Sequence, residues 1–450
     1  MFDSLLTSGH YDASCEALVT PDEAVFWNQF SPVVDRLYGE LADLAGTRVA
    51  LQFRASGTCL ALLAVLDRLK CDTILLSDEL RQDAAEALVE PFRVAALMRE
   101  FVSPDTVEPW PHFQVQRTAN GQVGVNEYGV TILTSGTSGR PKAVRHSWES
   151  LARPVRRSPV DLPPRWLLSY APHLYAGLQV ILQSLINHGC LVSPLPSSTP
   201  DEVIHLMSRG KVAYASATPS YWRRLLLFAN RSLLAGIPLR VVTLGGEPVD
   251  QSILTQLAQL FPNARLVHIY ATTELGRCFS VTDGRAGFPT TYLEKISSDG
   301  VELRIHEGEL WVRSANRMNG YVDQPDAKLD EWISTGDLTE TRGDRVFFVG
   351  RKSEIINVGG NKVHPYEVER VIREFPDVVD VRVYGKSSSI AGELVSCEII
   401  VANGADAVAV KRSVTTKCVE LLTEFQRPRV IEVVSMIPLS SAGKTRRSAE

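Results

Sequence analysis

A loop of small and hydroxyl-bearing residues follows an apolar segment, and its residue types suit the binding of phosphate. The segment reads ILTSGTSGRPKAV (132–144). Gly136 and Gly139 allow the backbone to bend tightly and to approach a ligand closely, while hydroxyl groups and successive backbone N–H groups can enclose an anion. Lys142 adds a positive charge suited to a phosphate oxygen. The pattern predicts a phosphate-binding loop at the end of a strand, and this segment alone leaves a plain turn before a lysine as the alternative.

The elements that must position this loop alternate between short apolar strands and helices. RVALQFR (48–54) and LRVVTLGG (239–246) are typical of buried strands, and SILTQLAQLF (252–261) has the apolar spacing of a helix. Strands that alternate with helices in this way predict an α/β fold with largely parallel sheets.

The pattern changes twice towards the C-terminus. VELRIH (301–306), ELWVRS (309–314) and RVFFVG (345–350) are short alternating strands, which predict an antiparallel sheet or a small barrel. After Gly350, strands and helices mix in a unit of about a hundred residues, which is the size of a single domain. We therefore expect two domains, 1–350 and 351–450, with the boundary before Arg351.

Composition excludes some classes of protein. The chain has 450 residues, of which 44% are hydrophobic and 22% charged, and its formal net charge is −5. This length predicts at least two domains. The balance of charge argues against nucleic-acid binding as the main role, and no apolar run is long enough to predict a membrane span.

Cysteine usage indicates a reducing compartment. The seven cysteines are odd in number and include no CxxC pair, which favours free thiols over a disulfide framework or a zinc site. The first residues lack the basic start and the long apolar block of a signal peptide. We therefore expect a cytoplasmic protein.

Six further segments follow the loop in a fixed order. They are TLGGEP (243–248), IYATTELG (269–276), GELWVR (308–313), EWISTGDL (331–338), VGRKSEIINVGGNKVHPYEVE (349–369) and PLSSAGKTRR (438–447). Together with the loop they resemble the adenylate-forming superfamily of acyl-CoA synthetases, peptide-synthetase adenylation domains and luciferases. The resemblance covers residues 130–447. It implies a large N-terminal domain of α/β subdomains and a barrel-like sheet that binds ATP and an acid, followed by a small mobile α+β lid.

The resemblance also implies a reaction. A carboxylic acid is activated by ATP as an acyl-adenylate, pyrophosphate leaves, and a thiol then takes the acyl group. Such a site must screen the repulsion between the carboxylate and the triphosphate and stabilise charge at the α-phosphorus. Coenzyme A is the expected acceptor, which would make the protein an AMP-forming acyl-CoA ligase. The alternatives are an enzyme that loads the pantetheine of a carrier protein, another ligase that uses an adenylate, and a non-enzymatic relative that retains only nucleotide binding.

The resemblance implies that two groups of residues contact the phosphates. The loop would hold the β- and γ-phosphates through Thr134, Ser135, Gly136, Thr137, Ser138, Gly139 and Lys142. Glu274 resembles the carboxylate that binds Mg²⁺, a hard cation that prefers oxygen ligands. Thr273 would offer its hydroxyl group to the α-phosphate.

A further group would hold the nucleoside. By resemblance, Tyr270 would stack on adenine, and the backbone of Gly245, Gly246 and Glu247 would lie along the ring. Asp337 would accept hydrogen bonds from both ribose hydroxyls, and Arg351 would also reach the ribose.

Lys444 matches the lysine that bridges the acid and the α-phosphate. Neutralising both partners is what the first step requires. A solvated basic tail is the alternative, since Arg446 and Arg447 follow. The GKT sequence does not fit a nucleotide-triphosphatase loop, because Pro438 occupies the position of its first glycine.

Two features concern the second step. Gly359 and Gly360 resemble the glycine pair that lines a pantetheine tunnel, where the absence of side chains leaves room for a thin arm. Ser353 occupies the hinge position, at which the family usually has Asp or Lys. Serine can still absorb a backbone rotation, but this difference puts the control of the hinge by a salt bridge in doubt.

The acyl pocket is the part of the site that the sequence determines least. His173 and Tyr175 stand where the family often has a gate, and a buried structural role is the alternative for each. Ala271 replaces a glycine and would narrow the pocket or displace the adenine. The aspartate of α-amino-acid-activating domains is missing, so we expect another small carboxylic acid. Arg277 could pair with a second acid group, although a surface role is favoured.

Overall fold

The computed structural model describes residues 1–7, 15–101, 112–118, 121, 128–134, 141–157, 163–322, 331–388, 392–402, 404–440 and 443–447. These residues form four sheets with helices packed around them. The described helices are Phe2–Thr7, Phe30–Glu40, Gly57–Arg68, Gln82–Val89, Trp148–Ala152, Tyr175–Leu185, Pro200–Arg209, Pro219–Phe228, Arg231–Ala235, Gln251–Leu260, Pro365–Arg373 and Ala407–Leu421. None of the helices in these ranges has both the length and the apolar character needed to cross a membrane.

The first sheet has eight strands, and its six central strands run parallel. In spatial order the strands are Gly276–Val281, Arg265–Thr272, Val241–Gly245, Tyr214–Ala217, Arg165–Leu168, Cys190–Val192, Glu16–Val19 and Ala24–Phe26. The two outer strands pair antiparallel. Parallel strands are buried on both faces by their crossover helices, which explains the continuous apolar runs in the sequence.

The second sheet has seven strands and carries the glycine-rich loop. In spatial order they are Gly320–Tyr321, Lys142–His146, Gly129–Thr134, Asp72–Leu76, Arg48–Gln52, Ala96–Glu100 and Phe113–Arg117. The middle four strands are parallel. The helix Gly57–Arg68 is almost wholly buried, and its first turn is capped by Ser56, whose hydroxyl accepts a hydrogen bond from the backbone N–H of Cys59.

Two smaller sheets complete the described fold. The third sheet is antiparallel throughout, in the order Phe288–Pro289, Arg345–Arg351, Ile333–Arg342, Glu309–Ser314 and Val301–His306. The fourth contains Asn361–Val363, Ile356–Val358, Gly392–Val401 and Val378–Ser388, with Val430–Val433 parallel to Gly392–Val401. The fourth sheet is built only from residues after Arg351. The α/β fold class with a barrel-like sheet and a C-terminal α+β unit is confirmed, while the boundary at residue 350 stays a prediction.

Candidate active site

A cavity opens where the first sheet, the antiparallel sheet and the C-terminal unit meet. Seven of the residues that the sequence analysis assigned to nucleotide or acid binding line it, namely Gly246, Glu247, Tyr270, Ala271, Asp337, Arg351 and Lys444. They come from segments almost two hundred residues apart in the chain. Most of the proposed nucleoside site is therefore assembled in one place.

Asp337 lies at the centre of a short polar network in this cavity. The strands Ile333–Arg342 and Arg345–Arg351 pair so that Asp337 lies opposite Arg351. One carboxylate oxygen accepts a hydrogen bond from Arg351 Nε at 2.6 Å, and the other accepts one from the hydroxyl of Tyr270 at 2.6 Å. A carboxylate offers about four acceptor positions, so Asp337 retains capacity for two more hydroxyl donors.

Tyr270 belongs to an aromatic wall that the motifs did not predict. Its ring stacks on Phe348 and on Phe279, with centroids 4.8 Å and 5.3 Å away. Burial raises the pKa of Tyr270 well above its ordinary value, and the charge of Asp337 adds to this effect. Tyr270 therefore keeps its proton as the donor to Asp337. Its stacking on adenine stays a prediction.

Lys444 extends into the cavity from the C-terminal segment. Its side chain passes over Gly246, where an added methyl group would lie 3.2 Å from Lys444 Cε. Gly246 has a φ of +86°, a conformation that glycine adopts readily. Burial lowers the pKa of Lys444, and the positive charge of Arg351 lowers it further. Glycine at 246 thus leaves space for the lysine as well as for a ligand.

The C-terminal segment is anchored within its own unit by Arg447. The guanidinium of Arg447 makes two hydrogen bonds of 2.9 Å to the two oxygens of Glu369. Glu369 is fully buried and also accepts hydrogen bonds from Arg373 at 3.1 Å and from the backbone N–H of Val383 at 3.0 Å. Sequence reasoning treated Arg447 only as part of a basic tail, and no short motif connects it with Glu369.

The glycine-rich segment lies in the sequence between two strands that pair antiparallel. Thr134 at the end of one strand pairs with Lys142 at the start of the next. Ser135, Gly136, Thr137, Ser138 and Gly139 lie outside the described residues. Lys142 is exposed, and its ammonium group lies 5.6 Å from the ring centroid of Tyr321. The strand Lys142–His146 thus places Lys142 beside the ring of Tyr321.

Tyr321 connects Lys142 with Glu274. Burial raises the pKa of Tyr321, and the negative charge of Glu274 contributes to the increase. The strand Gly320–Tyr321 pairs with the strand that begins at Lys142. Lys142 and the charge of Glu274 therefore both act on the Tyr321 ring, which the sequence did not indicate because a single tyrosine carries no motif. The roles of Lys142 and Glu274 stay predictions.

Thr273 and Glu274 follow the strand Arg265–Thr272. The backbone of Thr273 is hydrogen-bonded to the strand Lys142–His146. His146 Nε2 lies 2.7 Å from the carbonyl oxygen of Thr273. Burial lowers the pKa of His146 to about 4, so the ring is neutral at pH 7 and donates its Nε2 hydrogen to that carbonyl. This hydrogen bond fixes the turn that carries Thr273 relative to Lys142.

Of the residues suggested for the acyl pocket, Tyr175 is buried, whereas His173 and Ala271 are half-buried. His173 Nδ1 and the Tyr175 hydroxyl have no hydrogen-bond partner within the described part of the chain. The ring of Tyr175 lies 5.7 Å from that of His146, and Ala271 lies opposite Arg277 in the neighbouring strand. Burial lowers the pKa of His173 to about 4. Their contact with an acid stays a prediction.

Arg277 is already paired within the protein. Its guanidinium donates to Asp299 at 2.6 Å, and its side chain is only 14% exposed. Asp299 also pairs with Arg156 at 3.1 Å. Arg277 thus belongs to a half-buried ion-pair network that reaches the surface at Arg156, and pairing with a second acid group of the substrate stays a prediction.

Gly359 and Gly360 are separate from the cavity. They form the turn between Ile356–Val358 and Asn361–Val363, with φ values of +55° and +87°. A side chain at either position would meet open space.

Ser353 lies in a short 3₁₀ turn after Arg351, and the adjacent Lys352 forms an ion pair with the buried carboxylate of Glu309. The tunnel and hinge roles stay predictions.

Comparison with known proteins identifies the family of this chain. Residues 41–322 match the family model of the AMP-binding enzyme, and residues 367–444 match that of the AMP-binding enzyme C-terminal domain. The chain belongs to the AMP-binding enzyme family. The expected membership of the adenylate-forming superfamily is thereby confirmed.

Relatives of this AMP-binding enzyme include acid–CoA ligases. The 2-succinylbenzoate–CoA ligase of Listeria innocua serovar 6a is 27% identical, with 77% of this chain and 72% of the relative aligned. That of Listeria monocytogenes serovar 1/2a is 25% identical, with 96% and 95% aligned. Among solved structures, an anthranilate CoA ligase in complex with anthranoyl-AMP has a TM-score of 0.78 at 18% identity, covering 99% of this chain and 95% of that one. The structural likeness supports the fold.

Proposed function

We propose that this AMP-binding enzyme is an acid–thiol ligase that joins a carboxylic acid to AMP and then transfers the acyl group to coenzyme A. The observation that carries the proposal is the convergence of Lys444, Arg351 and Asp337 in one cavity. These side chains supply a mobile cation, a fixed cation and a ribose acceptor. Two homologues named as CoA ligases support coenzyme A as the acceptor.

In the first half-reaction, Lys444 places its ammonium group between the acid and the α-phosphate. Both of these groups are negative, so a shared cation lowers their repulsion as the new bond forms. Arg351 also lines the cavity and holds Asp337 in place through the 2.6 Å hydrogen bond. Asp337 in turn fixes the ribose and hence the position of the α-phosphate.

Lys142 and Glu274 act on the outer phosphates. Lys142 and the glycine-rich loop bind the β- and γ-phosphates and so favour the departure of pyrophosphate. Glu274 would hold Mg²⁺, which would screen the charge of the triphosphate. One carboxylate suits this ion, since Mg²⁺ in nucleotide sites is bound by one or two carboxylates together with substrate phosphates.

The second half-reaction uses the other face of the C-terminal unit. In this proposal residues 351–450 form a lid that turns about Ser353 and brings Gly359 and Gly360 to the cavity. The open space around both glycines would admit the pantetheine arm. A carrier-protein pantetheine could use the same path, so the acceptor is decided by experiment.

A panel of carboxylic acids tests this function. Pyrophosphate release is measured for each acid with ATP and Mg²⁺, with and without coenzyme A, and an acid-dependent signal with formation of a CoA thioester is expected.

Lys444→Ala should abolish acid-dependent exchange between ATP and pyrophosphate while ATP still binds. Lys417→Ala is the matched control, because Lys417 is exposed on the helix Ala407–Leu421. Normal exchange in Lys444→Ala would overturn the role of this lysine.

A further inference from the structure

The carboxylate of Glu247 connects the N-terminal domain with the segment that carries Lys444. One of its oxygens accepts a hydrogen bond from the backbone N–H of Thr445 at 2.7 Å. The other accepts one from the backbone N–H of Ser220 at 3.0 Å. Ser220 lies in the first turn of the helix Pro219–Phe228. Both oxygens thus accept hydrogen bonds from protein donors.

A second contact holds the other neighbour of Lys444. The hydroxyl of Thr218 donates to the carbonyl oxygen of Gly443 at 2.8 Å, and the Ser220 and Thr445 hydroxyls lie 3.1 Å apart. Thr218 also caps the helix by accepting a hydrogen bond from the backbone N–H of Tyr221 at 3.0 Å. The residues before and after Lys444 are therefore fixed to one rigid helix start.

Three of these residues are shielded from water, while Glu247 is half-buried. Thr218, Ser220 and Thr445 are exposed to 2%, 4% and 8%. Hydrogen bonds to a charged carboxylate are stronger than those between neutral groups, and burial makes their loss more costly. We refer to Thr218, Ser220 and Glu247 as the clasp.

We infer that Glu247 is a positioning residue for Lys444, and that the clasp defines the domain arrangement in which the first half-reaction occurs. This inference rests on the proposed function. Lys444 itself makes no bond to Glu247. Its backbone is held on both sides by the clasp, and its side chain is thereby directed over Gly246. A displacement of a catalytic group by about 1 Å can lower a rate by about 100-fold.

The clasp should affect the two half-reactions differently. Acyl-adenylate formation needs the clasp closed, since Lys444 acts in the cavity. Acyl transfer to coenzyme A needs the lid turned, which breaks all three contacts. Loss of the Glu247 carboxylate should therefore slow only the first step, whereas a general loosening of the fold would slow both.

The test uses the full-length Glu247→Gln variant, in which one carboxylate oxygen becomes a donor that faces a backbone N–H group. Hydrogen–deuterium exchange of a peptide spanning residues 438–447 should become at least tenfold faster, while peptides from the strand Arg48–Gln52 stay unchanged. This measurement needs no carboxylic acid substrate. Glu432→Gln is the control, because Glu432 is an exposed carboxylate on the strand Val430–Val433.

Kinetic measurements complete the test, using the acid with the fastest pyrophosphate release. We expect the kcat of acyl-adenylate formation in Glu247→Gln to fall tenfold or more with KM for ATP within twofold. Transfer from a synthetic acyl-adenylate to coenzyme A should stay within twofold. A raised KM for ATP, an equal fall in both steps or unchanged exchange of residues 438–447 would overturn the inference. If no acid releases pyrophosphate, the proposed function fails, while the exchange experiment still decides whether the clasp exists.

Ser220→Ala provides a milder variant should Glu247→Gln fold poorly. It removes the contact with the Thr445 hydroxyl but keeps the backbone N–H that binds Glu247. We expect a smaller increase in exchange at residues 438–447, again with acyl transfer preserved. Unchanged exchange in this variant, together with a loss of acyl transfer, would contradict the clasp.

Discussion

Replacing Glu369 with glutamine should weaken the C-terminal unit strongly. Glu369 is fully buried and receives hydrogen bonds from Arg447, from Arg373 and from the backbone of Val383. Burial alone would raise the pKa of this carboxyl group, but the charges of Arg447 and Arg373 outweigh it and lower the pKa from 4.5 to about 2. The charged form is thus preferred in the folded state. Glu369→Gln keeps the shape and removes that charge.

The loss of folding free energy in Glu369→Gln can be calculated from the pKa of Glu369. One pKa unit corresponds to about 1.4 kcal/mol, so the depression of this pKa amounts to about 3 kcal/mol of folding free energy at neutral pH. Breaking a buried ion pair by removing one partner costs about 3–5 kcal/mol, which agrees with the value obtained from the pKa. A lowered carboxyl pKa gives stability that is present above pH 4.5 and is lost as the pH falls towards 2. The difference between the two proteins should therefore shrink in acid.

Two buried thiols report on this unit directly. Cys397 and Cys418 are free and exposed to only 1% and 2%. When opening is fast relative to labelling, their reaction with a thiol reagent follows the opening free energy, so a loss of about 3 kcal/mol should accelerate labelling about 100-fold. Mass spectrometry assigns the label to each cysteine. Cys59 and Cys71 in the N-terminal domain serve as the internal control.

Two results would refute this reasoning. One is an acceleration of less than about fivefold at Cys397 and Cys418, which is under about 1 kcal/mol. The other is a difference in urea stability between the two proteins that is the same at pH 5 and at pH 3. Either would mean that the guanidinium groups do not favour the charged form of Glu369.

Further predictions concern pH and acyl transfer. The pKa of His146 is about 4 in the folded chain and near 6.5 when unfolded, so protons favour the unfolded state and stability should fall as the pH drops from 6.5 to 4, by up to about 1.4 kcal/mol per pH unit. His146→Gln should flatten this part of the urea-stability profile, and an unchanged slope would contradict the neutral ring. Gly359→Leu should slow formation of the CoA thioester and spare acyl-adenylate formation, measured as separate steps, with Lys362→Ala on the same hairpin as the control. Equal loss of both steps in Gly359→Leu would exclude the tunnel role.

Regular strands were predicted well because their side chains alternate. The segments 301–306 and 309–314 form strands with the predicted bounds, Val301–His306 and Glu309–Ser314. Burial on one face and solvent on the other impose that alternation on the sequence. Lys142 was expected within a loop, but it begins the strand Lys142–His146, since pairing with Gly129–Thr134 decides where that strand starts.

Contacts between distant segments were not predictable in this way. The wall of Phe279 and Phe348 beside Tyr270 depends on how two sheets approach each other. The pair of Glu369 and Arg447 depends on the path of the chain end. Motifs supplied the residue types of the site, whereas packing determined which protein groups those residues contact.

The segment that follows Lys444 is held by two contacts that differ in kind. Arg447 fixes it to Glu369 inside the C-terminal unit, whereas Thr445 joins it to Glu247 across the domain interface. In the proposed mechanism, a turn of the C-terminal unit would open the bond between Thr445 and Glu247 and keep the one between Arg447 and Glu369, so that Lys444 would leave the cavity with the C-terminal unit. The protein would then be unable to activate a second acid while the first acyl group is being transferred to its thiol.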